Sequence, residues 1–542
     1  MRLKATTKRG KINTTITTTE LKALWRSQQS PSRWRGKMRQ SFSRRALLRA
    51  GLARGGSMLF SGAPLSAVAG QLDADQPDPV ALKTDFGFKG SALSASDPGF
   101  ETAAFGNLWN QLQPKRHPQI IAQATDEQDV SAAVKFARAS KLKVAVRGGG
   151  HNWCSMSLRH NGLLIDLANL NRVLSIDPIS QKAVVQPILS NRAIQAALNP
   201  IGMSFPSGHC PGVKASGYLL SGGMAWNHGV WGPGVGSVEA IEIVDATGKL
   251  ITTSATENPD YFWAARGGGA GFFGIAVRYR LRLHPLPREI TSSAYYYPYE
   301  QLAQIATWLD RLAVQLPSSV ELSLFVIQAP PELADKARTS DGKVALVSAV
   351  IFADAADTAT AVLSALDSFP AIDRCLSRSG PKRTNFEELF DGSGALWPPG
   401  LRCKVDALFF NAPLSDLCHA VKEHLLSAPR RSVFLLAAYT GENRPPGTPS
   451  DAAFSMTGQV YGGSWTQWES ADDDAESISW HEKCVELLKP YVAGHYLGET
   501  DLVSHPEYAR LSYAPAAWER LGELRQKYDP EGIFFGFDDG LR

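Results

Sequence analysis

An α+β fold is predicted for this chain, and three features of the sequence predict it. Short apolar stretches of strand length are mixed with apolar repeats of helical spacing along most of the chain. Two glycine-rich segments, Arg147-Gly-Gly-Gly-His151 and residues 206–236, interrupt the first half, about sixty residues apart. Beyond His284-Pro-Leu-Pro287 the character shifts to successive strand candidates separated by helices, the pattern of an antiparallel sheet with helices on one face.

With 542 residues and 44% hydrophobic content, the chain can bury more than one core, and two domains are expected. The first 69 residues hold fifteen Lys/Arg against Glu20 alone. Of the 56 basic and 52 acidic residues in the chain, the remainder therefore keeps 41 and 51, a balance of −10, which gives a nucleic-acid-binding reading little support. No apolar run is long enough to span a membrane. Within the basic leader, Ser43-Arg-Arg-Ala-Leu-Leu-Arg49 resembles a twin-arginine export signal, followed by a weakly apolar stretch over 57–68 and a small-residue site at Ala67-Val-Ala69. Export to the periplasm or beyond, with a mature N-terminus near Gly70, is expected. The threonine-rich residues 1–37 lack apolar periodicity, and translation is expected to start at Met38. Residues 70–112 form a lead-in. Six cysteines (154, 210, 375, 403, 418, 484) have no CxxC or other metal-ligand spacing, so neither a disulfide framework nor a metal site is predicted, with one or two incidental disulfides after export left open and unpaired by the sequence.

The elements follow in order. Thr125 with Gln128 three residues on suggests a capping box, opening a helix whose Val130, Ala133, Val134 and Ala137 share one face. Residues 143–147 alternate like a short strand, and three glycines then turn the backbone tightly before His151, Asn152 and Trp153. Unhindered N–H groups at such a turn make a concave anion site suited to a pyrophosphate. Residues 163–167 read as a strand and Asn191 opens a helix with Ile194, Ala197 and Leu198 inward. Nine glycines from Gly208 to Gly236 are too many for a helix or a central strand and mark backbone that passes close to something flat or charged. Residues 238–244 and 249–252 flank Asp245-Ala-Thr-Gly248, a hairpin signature. Asn258 with Pro259 opens a helix that Gly267-Gly-Gly269 stops. The stretch from Gly267 to Gly274 is no dinucleotide fingerprint, because it follows a helix rather than a strand. Further on, Leu302, Ile305, Leu309, Leu312 and Leu316 fit a helix, as do residues 358–369. Strands are expected over 320–328, 344–353, 407–411, 432–440 and 458–467, and the Pro/Gly-rich stretches 392–400 and 441–450 are expected as rim loops. Trp518, Leu521, Leu524 and Tyr528 mark a last helix ending before Asp529-Pro530.

Four pieces, in order, resemble the FAD-linked oxidases of the vanillyl-alcohol-oxidase type, in particular the berberine-bridge-enzyme-like group. They are Arg147-Gly-Gly-Gly-His151; Gly208-His-Cys-Pro211 with Gly217 and Gly222-Gly223; Asn258-Pro-Asp-Tyr-Phe-Trp-Ala-Ala-Arg-Gly-Gly-Gly269; and Lys527-Tyr-Asp-Pro530. The resemblance implies a two-part PCMH-type FAD-binding domain over 113–287, a substrate domain over 288–500, and a C-terminal segment, 501–542, that returns to the FAD domain. It implies FAD contacts at Arg147, Gly148, Gly149, Gly150, His151, Asn152, Cys210, Val213, Gly217, Gly222, Gly223 and Ile275. It further implies flavin attachment through His151 to the 8α carbon and, in part of the family, through Cys210 to C6. Lys214 and Ser216 depart from the family's usual glycines, and Cys154 is read as structural. A small Val at position 213, just after Cys-Pro-x, goes with oxygen as the acceptor in this family. Twin-arginine export, which carries folded proteins, suits an enzyme that must receive its flavin in the cytoplasm.

Oxidising an alcohol or amine at a flavin needs a base beside the ring. The family often has Tyr-x-Asn-Tyr before its last helix, whereas this chain has Tyr496-Leu-Gly-Glu499. Glu499 and Tyr496 are therefore candidates, with Tyr461 and Trp465 as pocket walls and Tyr461 a third candidate. The expected activity is hydride removal from a small organic substrate, a sugar or secondary-metabolite alcohol or amine, with electrons passed to oxygen. A dehydrogenase with another acceptor, and a flavin-fold protein that binds without turnover, stand as alternatives.

Overall fold

The computed structural model describes residues 77–442 and 447–541. The export signal, the Ala69 site and the Met38 start lie outside the described residues.

Three sheets organise the described chain, and a two-residue ribbon joins parts of the first half. In the first, β1 (Ser91–Ser94), β2 (Ile120–Gln123), β3 (Val144–Arg147) and β4 (Leu163–Asp166) lie in the order β1-β2-β4-β3. The last three are parallel, β1 antiparallel. β5 (Val173–Asp177) and β6 (Lys182–Val185) join β8 (Val238–Val244), β9 (Leu250–Ser254) and β10 (Ile275–Arg282) in a five-stranded antiparallel sheet, β5-β6-β10-β8-β9. β7 (Met203–Ser204) and β11 (His284–Pro285) make the ribbon. The third sheet is wholly antiparallel. It orders β12 (Glu289–Pro298), β13 (Val320–Gln328), β14 (Lys343–Ala353), β15 (Ser377–Arg383), β16 (Arg402–Phe410), β17 (Val433–Ala438), β18 (Val460–Trp468) and β19 (Val492–His495) as β15-β12-β14-β13-β17-β18-β16-β19. Mixed sheets with segregated helices make the fold α+β, as the sequence predicts.

The large sheet shows why its strands form. Along β13, buried and half-buried positions alternate, placing Val320, Leu322, Leu324 and Val326 in a core with Leu302, Ile305, Leu309 and Leu312 of helix Leu302–Gln315. Helices Leu414–Leu426 and Asp474–Leu488 bury Leu417, Val421, Trp480 and Leu488 in the same core. The opposite face carries Phe325, Val405, Phe409, Leu435, Tyr461 and Trp465, and that face meets Trp153, Met224 and Val235 from the first half of the chain. The C-terminus returns as expected: after helix Pro515–Tyr528, Val144 N–H donates to the Ile533 carbonyl (2.7 Å) and Phe535 N–H to the Val144 carbonyl (3.1 Å), adding a rung beside β3.

Three expectations are corrected. Asp126, not Thr125, caps helix Glu127–Ala139, accepting from Asp129 N–H. Thr125 instead donates its N–H and hydroxyl to the Asp129 carboxylate (2.9 and 2.6 Å), so the box is displaced by one residue and built from two aspartates. Asn258 caps its helix through a left-handed backbone (φ 47°) rather than its side chain, whose amide donates to the Thr252 carbonyl. The expected rim loop over 392–400 is partly helix, Phe386–Leu396, because Asn385 caps it by accepting from Glu388 N–H and because Phe386 and Phe390 are buried.

Arg147, at the end of β3, donates to Asp166 Oδ2 (2.6 Å) at the end of β4, and to the carbonyls of Ala103 and Ala104, with both charged side chains wholly buried. Removing one partner of such a pair leaves an uncompensated charge inside the protein. Asp166→Ala is expected to lower unfolding free energy by about 3–5 kcal/mol in urea melts; a loss under ~1 kcal/mol would show that the carbonyls alone hold the guanidinium.

Candidate active site

The turn after β3 is shaped by contacts only glycine allows. Gly150 adopts φ +69°, and a Cβ there would lie 1.9 Å from the Asn107 carbonyl oxygen. Among the described residues, the N–H groups of Gly148 to His151 make no backbone hydrogen bonds, so they remain available to an anion. The second glycine-rich segment is anchored on the start of helix Asn191–Leu198. Asn191 N–H donates to the Val213 carbonyl (2.9 Å), Asn191 Nδ2 to the Cys210 carbonyl (3.0 Å) and Arg192 N–H to the Pro211 carbonyl (3.2 Å). This folds the segment 210–214 against the first turn: a Cβ on Gly212 would stand 2.6 Å from His151 Nε2, and one on Gly149 only 2.2 Å from Lys214 Cγ. His151 and Cys210 thereby share one wall of a single cavity of about 630 Å³, a size within the roughly 300–1,000 Å³ of small-molecule sites.

Burial, with Lys214 nearby, lowers the His151 pKa to about 4, so its imidazole is neutral near pH 7. Burial, and then the neighbouring Glu499, pushes the Cys210 thiol up to about 12. Gly148, Gly149, Gly150, Asn152, Val213, Gly217 and Ile275 also line the cavity, and no atom stands within 4 Å of where a Gly217 Cβ would be.

Several expected cofactor contacts are placed differently. Arg147 contributes backbone only, its guanidinium being committed to Asp166. The Asn152 side-chain oxygen accepts from Met156 N–H (3.0 Å) and the Cys154 thiol (3.3 Å), so it braces its own turn. Gly222 and Gly223 do not line the cavity. Their positive φ values (105° and 85°) and missing side chains admit the rings of Phe454 and Tyr218, which Cβ atoms there would meet at 2.2 and 2.8 Å. Cys154, thiol raised to about 12 by burial, donates also to the Thr500 carbonyl and stays structural. All six cysteines are free thiols.

The large sheet supplies the facing wall. Tyr461 and Trp465, four residues apart on β18, face the same way, and both line the cavity with Tyr496 and Glu499. Tyr461 donates its hydroxyl proton to Glu499 Oε2 at 2.5 Å. Desolvation raises the Glu499 pKa, against the lowering effects of Tyr461, His209 and Trp153. Tyr461 is raised well above the ordinary phenol range, by burial first and then by Glu499, so it stays a donor. The Tyr496 hydroxyl accepts from Met224 N–H (3.4 Å), and burial raises its pKa as well. Of the three candidates, Glu499 is the carboxyl group, facing the cavity with the Tyr461 hydroxyl bonded to it.

Three lining groups, His209, Glu321 and His228, escaped the sequence reading, and Lys214 was singled out there only as a departure from the family's glycines. Lys214 lies along Gly149. His209 packs at a tilt against Trp226 (centroids 4.1 Å apart, planes 49° apart) and meets Glu321 Oε2 at 3.0 Å, while Asn227 N–H donates to the other Glu321 oxygen. His228, its pKa lowered to about 3 by burial and then by His209, lines the cavity beside Tyr439. One signal was available: in Val320-Glu-Leu-Ser323, read as the start of a strand, the polar residues occupy every second position and had to face something other than a core.

The model of the FAD binding domain matches residues 118–254. The FAD-linked oxidoreductase nodO of Hypoxylon pulicicidum is 27% identical over 431 residues, spanning 79% of this chain and 92% of its own. The uncharacterized FAD-linked oxidoreductase YvdP of Bacillus subtilis is 25% identical over 462 residues, spanning 82% and 96%. Among solved structures, 6-hydroxy-D-nicotine oxidase from Arthrobacter nicotinovorans superposes with a TM-score of 0.72 at 20% identity, covering 85% of this chain and 99% of its own. Physcomitrella patens BBE-like 1 gives 0.70 at 17% identity, covering 85% and 99%. Phl p 4, a grass pollen allergen with glucose dehydrogenase activity, gives 0.68 at 20% identity, covering 83% and 96%.

Proposed function

The chain belongs to the FAD-linked oxidoreductases with the PCMH-type, berberine-bridge-like fold, and from that premise we propose that it oxidises a small organic substrate at a flavin bonded to His151 and Cys210, with Glu499 as base and oxygen as acceptor. The observation that carries this reading is the meeting of two walls in one cavity: His151 and Cys210 on the flavin half, and the Tyr461–Glu499 pair on the large sheet. The residues fit the cofactor. The bare turn at Gly148–Gly150 offers its N–H groups to the pyrophosphate, Lys214 adds a positive charge beside it, and Gly217 leaves open space for a flat ring. Bound there, FAD supplies a two-electron acceptor for hydride. His151, neutral, offers a nucleophilic nitrogen for attachment. Cys210 would have to give up its thiol proton to attach, with Glu499 the neighbouring carboxylate that would receive it, and the two electrons that attachment leaves on the ring would pass to oxygen, the acceptor proposed above.

Val213 lines the cavity and is the small residue expected where oxygen reaches the flavin. Val213→Leu is expected to slow reoxidation by oxygen at least about tenfold while changing flavin reduction less than about threefold, measured in separate half-reactions. Equal slowing of both halves would assign Val213 to substrate packing instead, and negligible reoxidation of the wild type in air would favour a dehydrogenase.

Export is the further part of this reading, resting on Arg44-Arg45 and Ala67-Val-Ala69. Changing both arginines to lysine is expected to hold the protein inside the cytoplasm, and unchanged export in a fractionation assay would remove the claim.

A further inference from the structure

The part of the cavity wall built from residues beyond 288 carries charge of one sign. Among the described residues, Glu321 and Glu499 line it, and no Lys, Arg, Asp, Asn or Gln does. The Lys and Arg residues on the cavity are Arg147, Arg159 and Lys214, all on the flavin half. Arg147 is spent on Asp166, and Arg159 donates to the carbonyls of Met156, Phe537 and Asp539. Glu321 is no solvated surface acid: its side chain is 19% exposed, and Asn227 N–H and His209 fix its two oxygens. Around the two carboxyls stand aromatic faces. Trp397 packs edge-on against Trp465 at 5.8 Å, and Tyr461 meets both Trp465 and Tyr496. His228, 7% exposed and on the same cavity, has a buried Nδ1 that finds no hydrogen-bond partner among the described residues.

Such a wall repels a carboxylate or phosphate. Carboxylates among aromatic faces attract a cation both by charge and through the ring quadrupoles, the more strongly where water is excluded. We propose that the substrate is a protonated amine on an apolar, aromatic-sized frame, drawn in by Glu321 and Glu499 and deprotonated by Glu499 before oxidation. The inference rests on the oxidoreductase reading above and names the substrate class of that site. In the proton step, the ammonium N–H bond breaks, its proton goes to a Glu499 oxygen, and the amine keeps the electron pair. Glu321, held in place by His209 and the Asn227 amide, acts as the anchor. Desolvation in the cavity favours this transfer, because it penalises the charged amine and the charged carboxyl together.

The test uses the holoenzyme under anaerobic conditions and four probes of similar size: N-methylbenzylamine, benzyltrimethylammonium, benzyl methyl ether and phenylacetate, each followed by the change it causes in the flavin's visible spectrum or by equilibrium dialysis. Both cations are expected to bind at least about tenfold more tightly than the ether, and phenylacetate is expected not to bind. Benzyltrimethylammonium can be neither deprotonated nor oxidised, so it reports charge attraction alone. Glu321→Gln is expected to weaken it about tenfold with the ether unchanged, and Ser323→Lys, two positions along the same strand face, is expected to abolish it and admit phenylacetate. Binding of the ether or phenylacetate as tight as that of the cations overturns the proposal, as does a cation preference that survives both substitutions. A flavin bleached by neutral alcohols and not by amines sinks the amine assignment and leaves the oxidoreductase standing. Cation binding without bleaching by any amine, alcohol or sugar keeps the charge selectivity and sinks the oxidoreductase.

Discussion

Glu499→Gln is expected to slow flavin reduction by substrate about 10²–10⁴-fold, the usual contribution of a positioned base, while the protein stays folded and yellow. Glutamine keeps the shape and can still accept the Tyr461 hydrogen bond, so the loss isolates proton transfer from packing. The pH dependence has a definite sign. Desolvation raises the Glu499 pKa above the ordinary 4.5, so the reduction rate of the wild type falls as pH drops through that raised value. The Tyr461 bond lowers the same pKa, so Tyr461→Phe should move this acid limb to higher pH rather than abolish the rate. Stability runs the other way. The folded protein binds the Glu499 proton more tightly than the unfolded chain does, so this residue's contribution is full below the unfolded value and is lost as pH rises through the folded one. Glu499→Gln should therefore be at least as stable as the wild type at pH 7. A variant that is both slow and unstable would recast Glu499 as a structural residue, and an acid limb absent from the wild-type profile would remove it as the base.

The second large effect concerns how the flavin is held. His151→Ala and Cys210→Ala are each expected to remain yellow in the pellet after acid precipitation, and only the double variant is expected to release its FAD. A covalent link replaces a dissociable equilibrium, so a protein working away from cytoplasmic FAD does not depend on its free concentration. The two residues are not equivalent: His151 is already in its reactive neutral form at pH 7, whereas the Cys210 thiol sits at about 12. The histidine link should accordingly form first, and Glu499→Gln, which removes a proton acceptor near Cys210, should leave the histidine link intact. If Cys210→Ala leaves the spectrum unchanged while His151→Ala alone frees the flavin, attachment is single and Cys210 is a packing residue beside the ring.

The glycine-rich turns, the hairpin over 238–254 and the strand at 320–328 were legible because each rests on a local rule: positive φ, a turn sequence, or strict alternation. β15 was not, because Ser377–Arg383 is an edge strand, largely exposed, with no apolar pattern to betray it. β12 was missed for a different reason. Its buried alternate positions are Thr291, Ser293, Tyr295 and Tyr297, whose hydroxyls blur the apolar period. In the site, His151, Cys210 and Glu499 could be singled out from motif positions, but their meeting in one cavity depends on Asn191 drawing the 210–214 segment onto the first turn, a contact between residues far apart in the motif pattern. Gly222 and Gly223 illustrate the converse: glycines that look made for a cofactor serve the rings of Phe454 and Tyr218. His209 and Glu321 lie 112 residues apart, on different halves of the chain, and no local rule pairs them.

In the proposed reaction, this cavity moves electrons from an organic substrate to a bound flavin and on to oxygen. Its most direct test is a single turnover of the purified holoenzyme: substrate is added without oxygen, the flavin's visible band is followed, and air is then admitted. Bleaching by an aromatic amine, recovery of the band in air, and one hydrogen peroxide formed per flavin reoxidised are expected. A flavin that dithionite bleaches but that no amine, alcohol or sugar does, or one that stays bleached in air, would contradict it.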